Sequence, residues 1–435
     1  MEVKLVSRET IKPSSPTPLH LQTFTLSYVD QFFPAFHIPI LLCYPKTIGT
    51  PINTNLLKTS LATTLTKFYP LAGRCIDNST ILCNDHGIPF IETHVNCPIS
   101  TLFNSPNKLN LLHKLLPPQD ISSLGQNLCD LVPLAFQINI FQCGGFVLGC
   151  YMLHKFLDGT SLGTFLKYWA FLANKKCDDQ DGSGSGFGPD FESTAKAFVP
   201  TSLDLKPILF QPKIESKSIE IRARSFIFSN ASLSVLKNKG TSDFVLKPTR
   251  FEALAAFIWN KLWSSRSGSS SLMFTVDMRA RTNPPLPKGS MGNLFMSMQA
   301  HAKDGSGLPG LLKEIHSTIL NIKNEVAIYQ GENGVEAFYT KTESEVNDMI
   351  SYKTNLFMVT SWCNLGLKEV DFGFGKPKWI VPFDGRTPPS KNFIIFTDHI
   401  DSYDNEGIEA WLFLEEHDME DLLNDSEFFA FACPN

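Results

Sequence analysis

The sequence of 435 residues is poor in charge and contains no long apolar run. Charged residues make up 19% of the chain, against about 25% in an average globular protein. The formal net charge is −5, so a basic surface for nucleic acid or for an anionic membrane is absent. The longest apolar runs, at 36–42 and 146–153, are too short to span a bilayer, which takes about 20 residues. The first residues also lack the apolar core of a secretory signal, so we expect a cytoplasmic protein without nucleic-acid or membrane partners.

Metal-binding and phosphate-binding motifs are missing as well. Ten cysteines occur, but no two have the Cys-x-x-Cys spacing, and most belong to apolar segments. We therefore expect the cysteines to be small buried hydrophobic side chains. Neither a disulfide framework nor a structural zinc site is expected. His-Glu-x-x-His and the Gly-x-x-x-x-Gly-Lys-Ser/Thr loop are also absent. The sequence thus predicts no bound metal.

The composition is that of a large folded chain, and one glycine- and serine-rich segment interrupts it. Glycine and serine alternate over 182–186, which is typical of a flexible coil, and extended polar sequence continues to about residue 212. A chain of this length favours two packed domains over one. We predict an N-terminal domain over 1–176, a crossover loop over 177–212 and a C-terminal domain over 213–435.

Local patterns predict helices and strands in both halves. A helix is expected over 53–68, and a strand over 144–154 is apolar on both faces, as in the centre of a sheet. Another helix begins at about Thr160, and a capping-box pattern opens a helix over 249–263. Further strands are predicted at 272–278, 378–382, 393–398 and 408–414. The predicted fold class is α/β with mixed sheets.

The strongest chemical feature is the segment from His154 to Gly159, in which Asp158 follows the histidine by four residues. A histidine at the end of a buried strand suits a general base, because its unperturbed pKa is about 6.5. Asp158 would orient the loop or anchor it through an ion pair. The alternative is a satisfied core histidine beside a helix-capping aspartate, since this spacing is common by chance. A zinc site would need further ligands, and the other histidines are scattered.

A serine hydrolase is a competing interpretation, because residues 159–163 match the Gly-x-Ser-x-Gly elbow around Ser161. Asp371 and His399 follow in the order that a catalytic triad would need. An elbow places its serine in the tight turn directly after a strand, whereas irregular residues precede this one. We therefore expect Ser161 in the first turn of a helix.

The second feature is the segment Asp371-Phe-Gly373-Phe374-Gly375. Two glycines around an aromatic residue favour a tight turn with close backbone approach. The interpretation preferred here is a structural turn rather than a ligand-binding loop.

Together these segments resemble the plant BAHD acyltransferase family, which transfers an acyl group from a coenzyme A thioester to an alcohol or amine. His154–Gly159 matches the family's HxxxDG motif, and Asp371–Gly375 matches its DFGWG motif with Phe374 in place of tryptophan. The resemblance covers nearly the whole chain. The N-terminal run to Pro45 is most similar to the alkaloid acetyltransferases of this family. Further matches, in the family's order, are Tyr69–Arg74, Val276–Arg279, Met291–Asn293 and Thr360–Trp362.

The resemblance implies two domains of similar fold, like chloramphenicol acetyltransferase, with an active-site channel at the domain interface. It implies acetyl-CoA or another acyl-CoA as co-substrate, a small-molecule alcohol as acceptor, no permanently bound cofactor and a monomer. The expected activity is O-acetylation of a specialised metabolite such as an alkaloid or terpenoid. The alternatives are transfer of a larger acyl group to a phenolic or amine acceptor, and a non-catalytic homologue that binds a small ligand.

The resemblance also implies a role for each residue in the chemistry. His154 is the general base in mid-channel. Thr360 and Trp362 lie near the thioester carbonyl, where a hydroxyl or an indole N–H stabilises the oxyanion. Asp158 turns away from the channel and pairs with Arg279 as a geometric support.

Roles are also expected for the Asp371–Gly375 segment and for the residues that would contact CoA. Asp371 is sometimes counted as catalytic, but here it is expected to be structural together with Gly373 and Gly375. Thr249, at a helix N-terminus, is a candidate contact for CoA, and a plain helix cap explains it equally well. The candidate contacts for the CoA phosphates are Arg250, Arg281 and Lys288.

Overall fold

The computed structural model describes residues 1–45, 51–121, 127–174, 188–202, 220–264, 266–331, 333–351, 355–386, 388–400 and 406–435. The chain forms two compact units. Most of the predicted crossover loop, 177–187 and 203–212, lies outside the described residues. The first unit consists of Met1–Pro207, Leu286–Leu294 and Asn364–Thr387, and the second of Ile208–Pro285, Phe295–Cys363 and Pro388–Asn435.

These units are not contiguous, unlike the predicted domains 1–176 and 213–435. Two segments from the later part of the chain belong to the first unit. One of them contributes the strand Trp379–Val381, which pairs antiparallel with His37–Tyr44. Because this strand pairing joins the segment to the first unit, Asp371–Gly375 lies there and not in the C-terminal domain for which it was predicted.

The first unit contains a mixed six-stranded sheet. Its strands are β1 (Val3–Ile11), β3 (His37–Tyr44), β6 (Ile88–Val95), β7 (Leu134–Phe141), β8 (Phe146–Leu153) and β13 (Trp379–Val381). They are ordered β1-β6-β7-β8-β3-β13, and β6 and β7 are parallel while the other neighbours are antiparallel. A small separate sheet contains β2 (Thr23–Thr25), β4 (Arg74–Cys75) and β5 (Thr80–Leu82).

Five α-helices of the described residues belong to the first unit. They are α1 (Tyr28–Phe32), α2 (Thr54–Lys67), α3 (Ser100–Phe103), α4 (Gly159–Ala173) and α5 (Glu192–Ala197). Trp169 of α4 donates its indole N–H to the carbonyl of Leu57 in α2 at 3.0 Å. Every residue of β8 is buried, which confirms the central strand that its apolar faces predicted.

The second unit contains a mixed seven-stranded sheet. Its strands are β9 (Ile221–Ser229), β10 (Ser270–Asp277), β11 (Phe295–Ala302), β12 (Asn355–Ser361), β14 (Phe393–Ile400), β15 (Glu406–Glu415) and β16 (Cys433–Pro434). The order is β11-β10-β12-β14-β15-β9-β16, with β10, β12 and β14 parallel. The helices are α6 (Asn230–Gly240), α7 (Arg250–Trp263), α8 (Gly307–Tyr329), α9 (Gly334–Ser351), α10 (Glu416–Leu423) and α11 (Ser426–Phe429).

The capping box predicted at the start of α7 is confirmed. The hydroxyl of Thr249 accepts the N–H of Glu252 at 3.2 Å, and the N–H of Thr249 donates to the Glu252 carboxylate at 2.7 Å. The side chain of Trp259 then joins this helix to β10 by a hydrogen bond to Ser270 at 2.8 Å. The strands predicted in the second half correspond to β10, β13, β14 and β15.

The expectation for the cysteines holds only in part. Four of the nine described cysteines are buried, but Cys129 and Cys433 are exposed because one lies in a short surface turn and the other in the C-terminal edge strand. Cys177 lies outside the described residues. Across the described part of the chain, no group of three or more His, Cys, Asp or Glu side chains is arranged to hold a metal ion. No helix there is both long and apolar enough to cross a membrane.

Candidate active site

His154 is the first residue after β8, where the strand leaves the sheet of the first unit. Its main-chain N–H donates to the main-chain carbonyl of Phe36 at 2.8 Å. The imidazole stacks on the ring of Phe33, with centroids 5.2 Å apart and planes inclined by 10°, and also contacts Phe36 at 5.5 Å. The residue is partly buried, and its ring lies against these two apolar rings.

This environment favours the neutral form of the histidine. Burial lowers the pKa of His154 below its ordinary value of about 6.5, against the opposing effects of hydrogen bonds and of the Asp158 charge. A base must be unprotonated before it can accept a proton. At pH 7 most of His154 is therefore in the form that accepts one.

Asn293 determines which ring nitrogen of His154 carries the proton. Its amide nitrogen donates to the main-chain carbonyl of His154 at 2.9 Å, and because a carbonyl only accepts, this contact fixes the orientation of the amide. The amide oxygen then faces Nδ1 of His154 at 2.9 Å. An amide oxygen also only accepts, so Nδ1 carries the hydrogen and Nε2 carries the lone pair.

The sequence around Asn293 does not indicate this role. It marks the residue only as the end of the segment Met291–Asn293, which matches the family. Asn293 is fully buried and is separated from His154 by 139 positions. No local pattern reports such a contact, and the family motif was the single signal that could have drawn attention to it.

Asp158 is the N-cap of α4 and also supports the segment that carries Asn293. One carboxylate oxygen accepts the N–H of Ser161 at 2.7 Å, and the other accepts the N–H of Leu294 at 3.1 Å. The side chain is buried, with 4% of its residue surface exposed. The helix-capping aspartate, given as an alternative from the sequence, therefore describes this residue, and its second bond ties the start of α4 to residue 294.

Arg279 lies in the second unit, in a short helical turn after β10. Its main-chain N–H and its guanidinium bind the two carboxylate oxygens of Asp277 at 2.7 and 3.1 Å. The pairing of Arg279 with Asp158 that the family resemblance implies stays a prediction.

Ser161 does not have the environment of a nucleophile. It lies in the first turn of α4, as the sequence predicted, and it is fully buried. Its hydroxyl is 3.1 Å from both the carbonyl oxygen and the N–H of Gly292, so it serves as donor to one and acceptor to the other. The structure therefore gives Ser161 a structural role.

The segment Asp371–Gly375 forms a tight turn in the first unit. One carboxylate oxygen of Asp371 accepts the N–H groups of Gly373 at 2.8 Å and Gly375 at 2.9 Å. Both glycines have φ of 93°, a conformation that other residues rarely adopt. The sequence thus predicted the turn correctly, and the carboxylate that holds it together is occupied by main-chain donors.

The turn at Asp371–Gly375 and His154 lie near opposite ends of β8. The ring of Phe374 contacts Phe146, the first residue of β8, with centroids 6.0 Å apart. His154 follows the other end of β8, and at about 3.3 Å per residue the two ends lie about 25 Å apart. Asp371 is therefore part of the scaffold of the first unit and does not reach the histidine.

Thr360 and Trp362 lie at the end of β12 in the second unit. The hydroxyl of Thr360 is 2.9 Å from that of Thr275 on the neighbouring strand β10. The main-chain N–H of Trp362 donates to Phe396 at 2.7 Å. Thr360 thus lies within β12 and Trp362 directly after it, and both residues are partly exposed.

The candidate CoA contacts are divided between the two units. Thr249 caps α7, and its hydroxyl and N–H both bind Glu252. Arg250 contacts Asn230 at 3.3 Å, and Arg281 donates to the carbonyl of Asp277 at 2.7 Å. Lys288 is exposed and belongs to the first unit. Their contacts with CoA remain predictions.

Comparison with known proteins identifies the family. The model of the transferase family, which includes the BAHD acyltransferases, matches residues 1–429. The chain belongs to the BAHD acyltransferase family and has the two-domain α/β fold with mixed sheets found in its members. Both the resemblance and the fold class inferred from the sequence are thereby confirmed.

Similar proteins are matched along their whole length. An epi-neemfruitin B 7-O-acetyltransferase from Melia azedarach is 34% identical over an alignment of 458 positions. The alignment covers 99% of this chain and 98% of that protein. A stemmadenine O-acetyltransferase from Catharanthus roseus is 31% identical, covering 98% of this chain and 97% of that one. The crystal structure of vinorine synthase matches with a TM-score of 0.79 and 28% identity, covering 99% and 98% of the two chains.

Proposed function

We propose that this acyltransferase uses acetyl-CoA to acetylate a hydroxyl group of a specialised metabolite, with an alkaloid or a terpenoid as acceptor. The observation that carries the proposal is the geometry at His154, where the amide oxygen of Asn293 faces Nδ1 and leaves Nε2 as the proton-accepting nitrogen. The names of the relatives from Melia azedarach and Catharanthus roseus, both O-acetyltransferases, support acetyl transfer to oxygen.

In this mechanism Nε2 of His154 takes the proton of the acceptor hydroxyl while that oxygen attacks the thioester carbonyl carbon. A positioned base of this kind contributes about 10²–10⁴-fold to the rate. The imidazolium that forms is stabilised by the Nδ1–H bond to the amide oxygen of Asn293.

The attack creates a tetrahedral intermediate with a negative oxygen. The hydroxyl of Thr360 or the indole N–H of Trp362 donates to that oxygen in the proposed mechanism. The carbon–sulfur bond then breaks, the carbonyl re-forms as an ester, and His154 returns its proton to the leaving CoA sulfur. The acyl group passes directly from sulfur to oxygen, so no covalent acyl-enzyme is formed and Ser161 takes no part.

The proposal retains the expectation of a cytoplasmic monomer that binds acyl-CoA by a few local basic groups. Light scattering of the purified protein measures the number of subunits. A fluorescent fusion in plant cells reports the compartment.

The experiment that tests the activity presents purified protein with acetyl-CoA, malonyl-CoA and an aromatic acyl-CoA against a panel of alcohols, phenols and amines. Release of free CoA thiol is measured together with the mass of the product. The proposal predicts a mass increase of one acetyl group on a hydroxyl acceptor. Preference for the larger donors on phenols or amines would replace it by the alternative activity. No thiol release with any acceptor of a broad panel would favour a binding protein.

A further inference from the structure

We propose that Asp30 is a positioning residue for catalysis: its carboxylate fixes the main chain of Asn293 and thereby sets the tautomer of His154. The inference rests on the proposed function for its catalytic consequence. The arrangement itself is a chain of three hydrogen-bonded residues within the first unit, from Asp30 through Asn293 to His154.

The first link is the contact between Asp30 and Asn293. One carboxylate oxygen of Asp30 accepts the main-chain N–H of Asn293 at 2.7 Å, and the other accepts the hydroxyl of Ser27 at 2.6 Å. Asp30 has 3% of its surface exposed and Asn293 has none. A buried carboxylate with two short bonds holds its donors in one position, because breaking either bond leaves a buried polar group unsatisfied.

Asp30 belongs to the segment that surrounds His154 on several sides. The carbonyl of Asp30 accepts a bond from the ammonium group of Lys155 at 3.1 Å, and the same group donates to the carbonyl of Phe33 at 2.9 Å. Lys155 is adjacent to His154 in the chain, and Phe33 stacks on the imidazole. The segment from α1 to Phe33 therefore positions the histidine through its chain neighbour and its ring as well as through Asn293.

The charges around Asp30 are consistent with this role. Burial raises the pKa of Asp30 to about 6, while its hydrogen bonds and the charge of Lys155 act in the opposite direction and Asp158 acts in the same one. Burial lowers the pKa of Lys155 to about 8, opposed by the charge of Asp30. At pH 7 the carboxylate is thus mostly ionised, and both of its oxygens are acceptors that match the two donors.

Two substitutions separate the position of the acceptor from its charge. Asp30→Asn keeps an oxygen where Asn293 needs it, since the main-chain N–H can only donate whereas the hydroxyl of Ser27 also accepts from the new amide. Asp30→Glu keeps the charge but displaces the oxygens by one methylene, next to a small cavity lined by Asp30, Ser27 and Leu157. A positioning role predicts that asparagine is tolerated better than glutamate.

The first readout is the tautomer of His154, measured by ¹⁵N NMR of histidine-labelled protein above the pKa of the ring and assigned by comparison with His154→Gln. We expect protonated Nδ1 and unprotonated Nε2 in the native protein and in Asp30→Asn, and a mixture of tautomers in Asp30→Glu. This readout does not depend on any acyl transfer, so it tests the inference even where the proposed function fails.

The second readout is turnover. A displacement of about 1 Å in a catalytic group costs about 10²-fold in rate. We therefore expect kcat of Asp30→Asn to exceed that of Asp30→Glu by at least about tenfold, with similar KM for acyl-CoA. The control applies the same two substitutions to Asp85, which also binds one main-chain N–H and one hydroxyl, both from Thr17 at 2.8 and 2.7 Å.

Each other outcome contradicts the inference. Higher activity in Asp30→Glu than in Asp30→Asn would show that the negative charge, through its attraction to the Lys155 ammonium group, is what matters. Equal activity and equal tautomers in both variants would show that neither the position of the oxygen nor its charge controls His154. The same order of kcat in the Asp85 variants would reduce the effect to general stability.

Discussion

The amide of Asn293 binds His154 at two points, with its nitrogen 2.9 Å from the histidine carbonyl and its oxygen 2.9 Å from Nδ1. The first contact fixes the orientation of the amide, and the second therefore fixes the tautomer of the ring. A neutral acceptor at Nδ1 orients the imidazole without adding a negative charge. Since a carboxylate at this position would raise the pKa of the histidine, the amide helps to keep the base neutral at pH 7.

The pH dependence of kcat/KM tests this consequence. Activity needs neutral His154, and burial lowers the pKa of that residue, so we expect kcat/KM to fall on the acid side with a midpoint below about 6.5. Asn293→Asp places a carboxylate against Nδ1–H and stabilises the imidazolium, so the acid limb moves to higher pH. Asn139→Asp, at another buried asparagine of the same unit, serves as control. If the acid limb of kcat/KM stayed in place or moved to lower pH in Asn293→Asp, the assigned contact between residue 293 and Nδ1 of His154 would be contradicted.

Asp158 is expected to matter for both stability and turnover. Asp158→Asn keeps the cap on Ser161 but turns an amide N–H toward the N–H of Leu294, so two donors face each other. Leaving that N–H unsatisfied costs about 1–3 kcal/mol in the free energy of unfolding, measured by urea denaturation. The displacement of residue 294 also moves Asn293, and kcat of the folded enzyme should fall about tenfold or more.

The control for Asp158 is Ser229→Ala, which removes a simple N-cap from α6. It should lower the free energy of unfolding by about 0.5–2 kcal/mol and leave kcat as in the native enzyme. If Asp158→Asn lost stability and kept its turnover, as the control does, its bond to Leu294 would have no part in catalysis.

The turn at Asp371–Gly375 is expected to affect stability alone. Asp371→Ala removes the acceptor of two main-chain N–H groups, and Gly373→Ala forces a side chain into a φ of 93°. Each change should lower the free energy of unfolding by about 1–3 kcal/mol. Gly188→Ala, in open space and without a positive φ, should change it by less than about 0.5 kcal/mol. A large fall in kcat of fully folded Asp371→Ala would show instead that this aspartate acts in the reaction.

Thr360 is the residue to test for oxyanion stabilisation. Thr360→Val keeps the shape of the side chain and removes the hydroxyl, and loss of one oxyanion donor costs about 10²–10³-fold in kcat. Thr275→Val removes only the neighbouring hydroxyl at 2.9 Å and should cost much less. If Thr360→Val and Thr275→Val lowered kcat equally and only slightly, the oxyanion donor would be the indole N–H of Trp362. Trp362→Phe would then show the corresponding loss of kcat.

Local sequence patterns predicted those parts of the fold that local physics determines. The doubly apolar run became β8, and the capping box became the start of α7, because burial on two faces and main-chain capping are properties of neighbouring residues. The placement of β13 beside β3 joins residues more than 300 positions apart, and no periodicity reports it.

The same limit applies to the candidate site. His154 and Asp158 are four residues apart and were found together at the end of a strand. Asn293 reaches the distant His154 by two hydrogen bonds, and Asp30 reaches Asn293 by one. Asparagine and aspartate are common in any chain. Only the folded chain brings them to the histidine, so the sequence indicates His154 and Asp158 but not Asn293 and Asp30.

Single-turnover acetyl transfer by the native protein and by His154→Ala measures the central claim most directly. Acetyl-CoA binding is followed in parallel by calorimetry, with an acceptor chosen from the active members of the panel. The account predicts that the substitution slows transfer by about 10²–10⁴-fold while acetyl-CoA binds with similar affinity. Transfer at the native rate by a folded His154→Ala protein would contradict it.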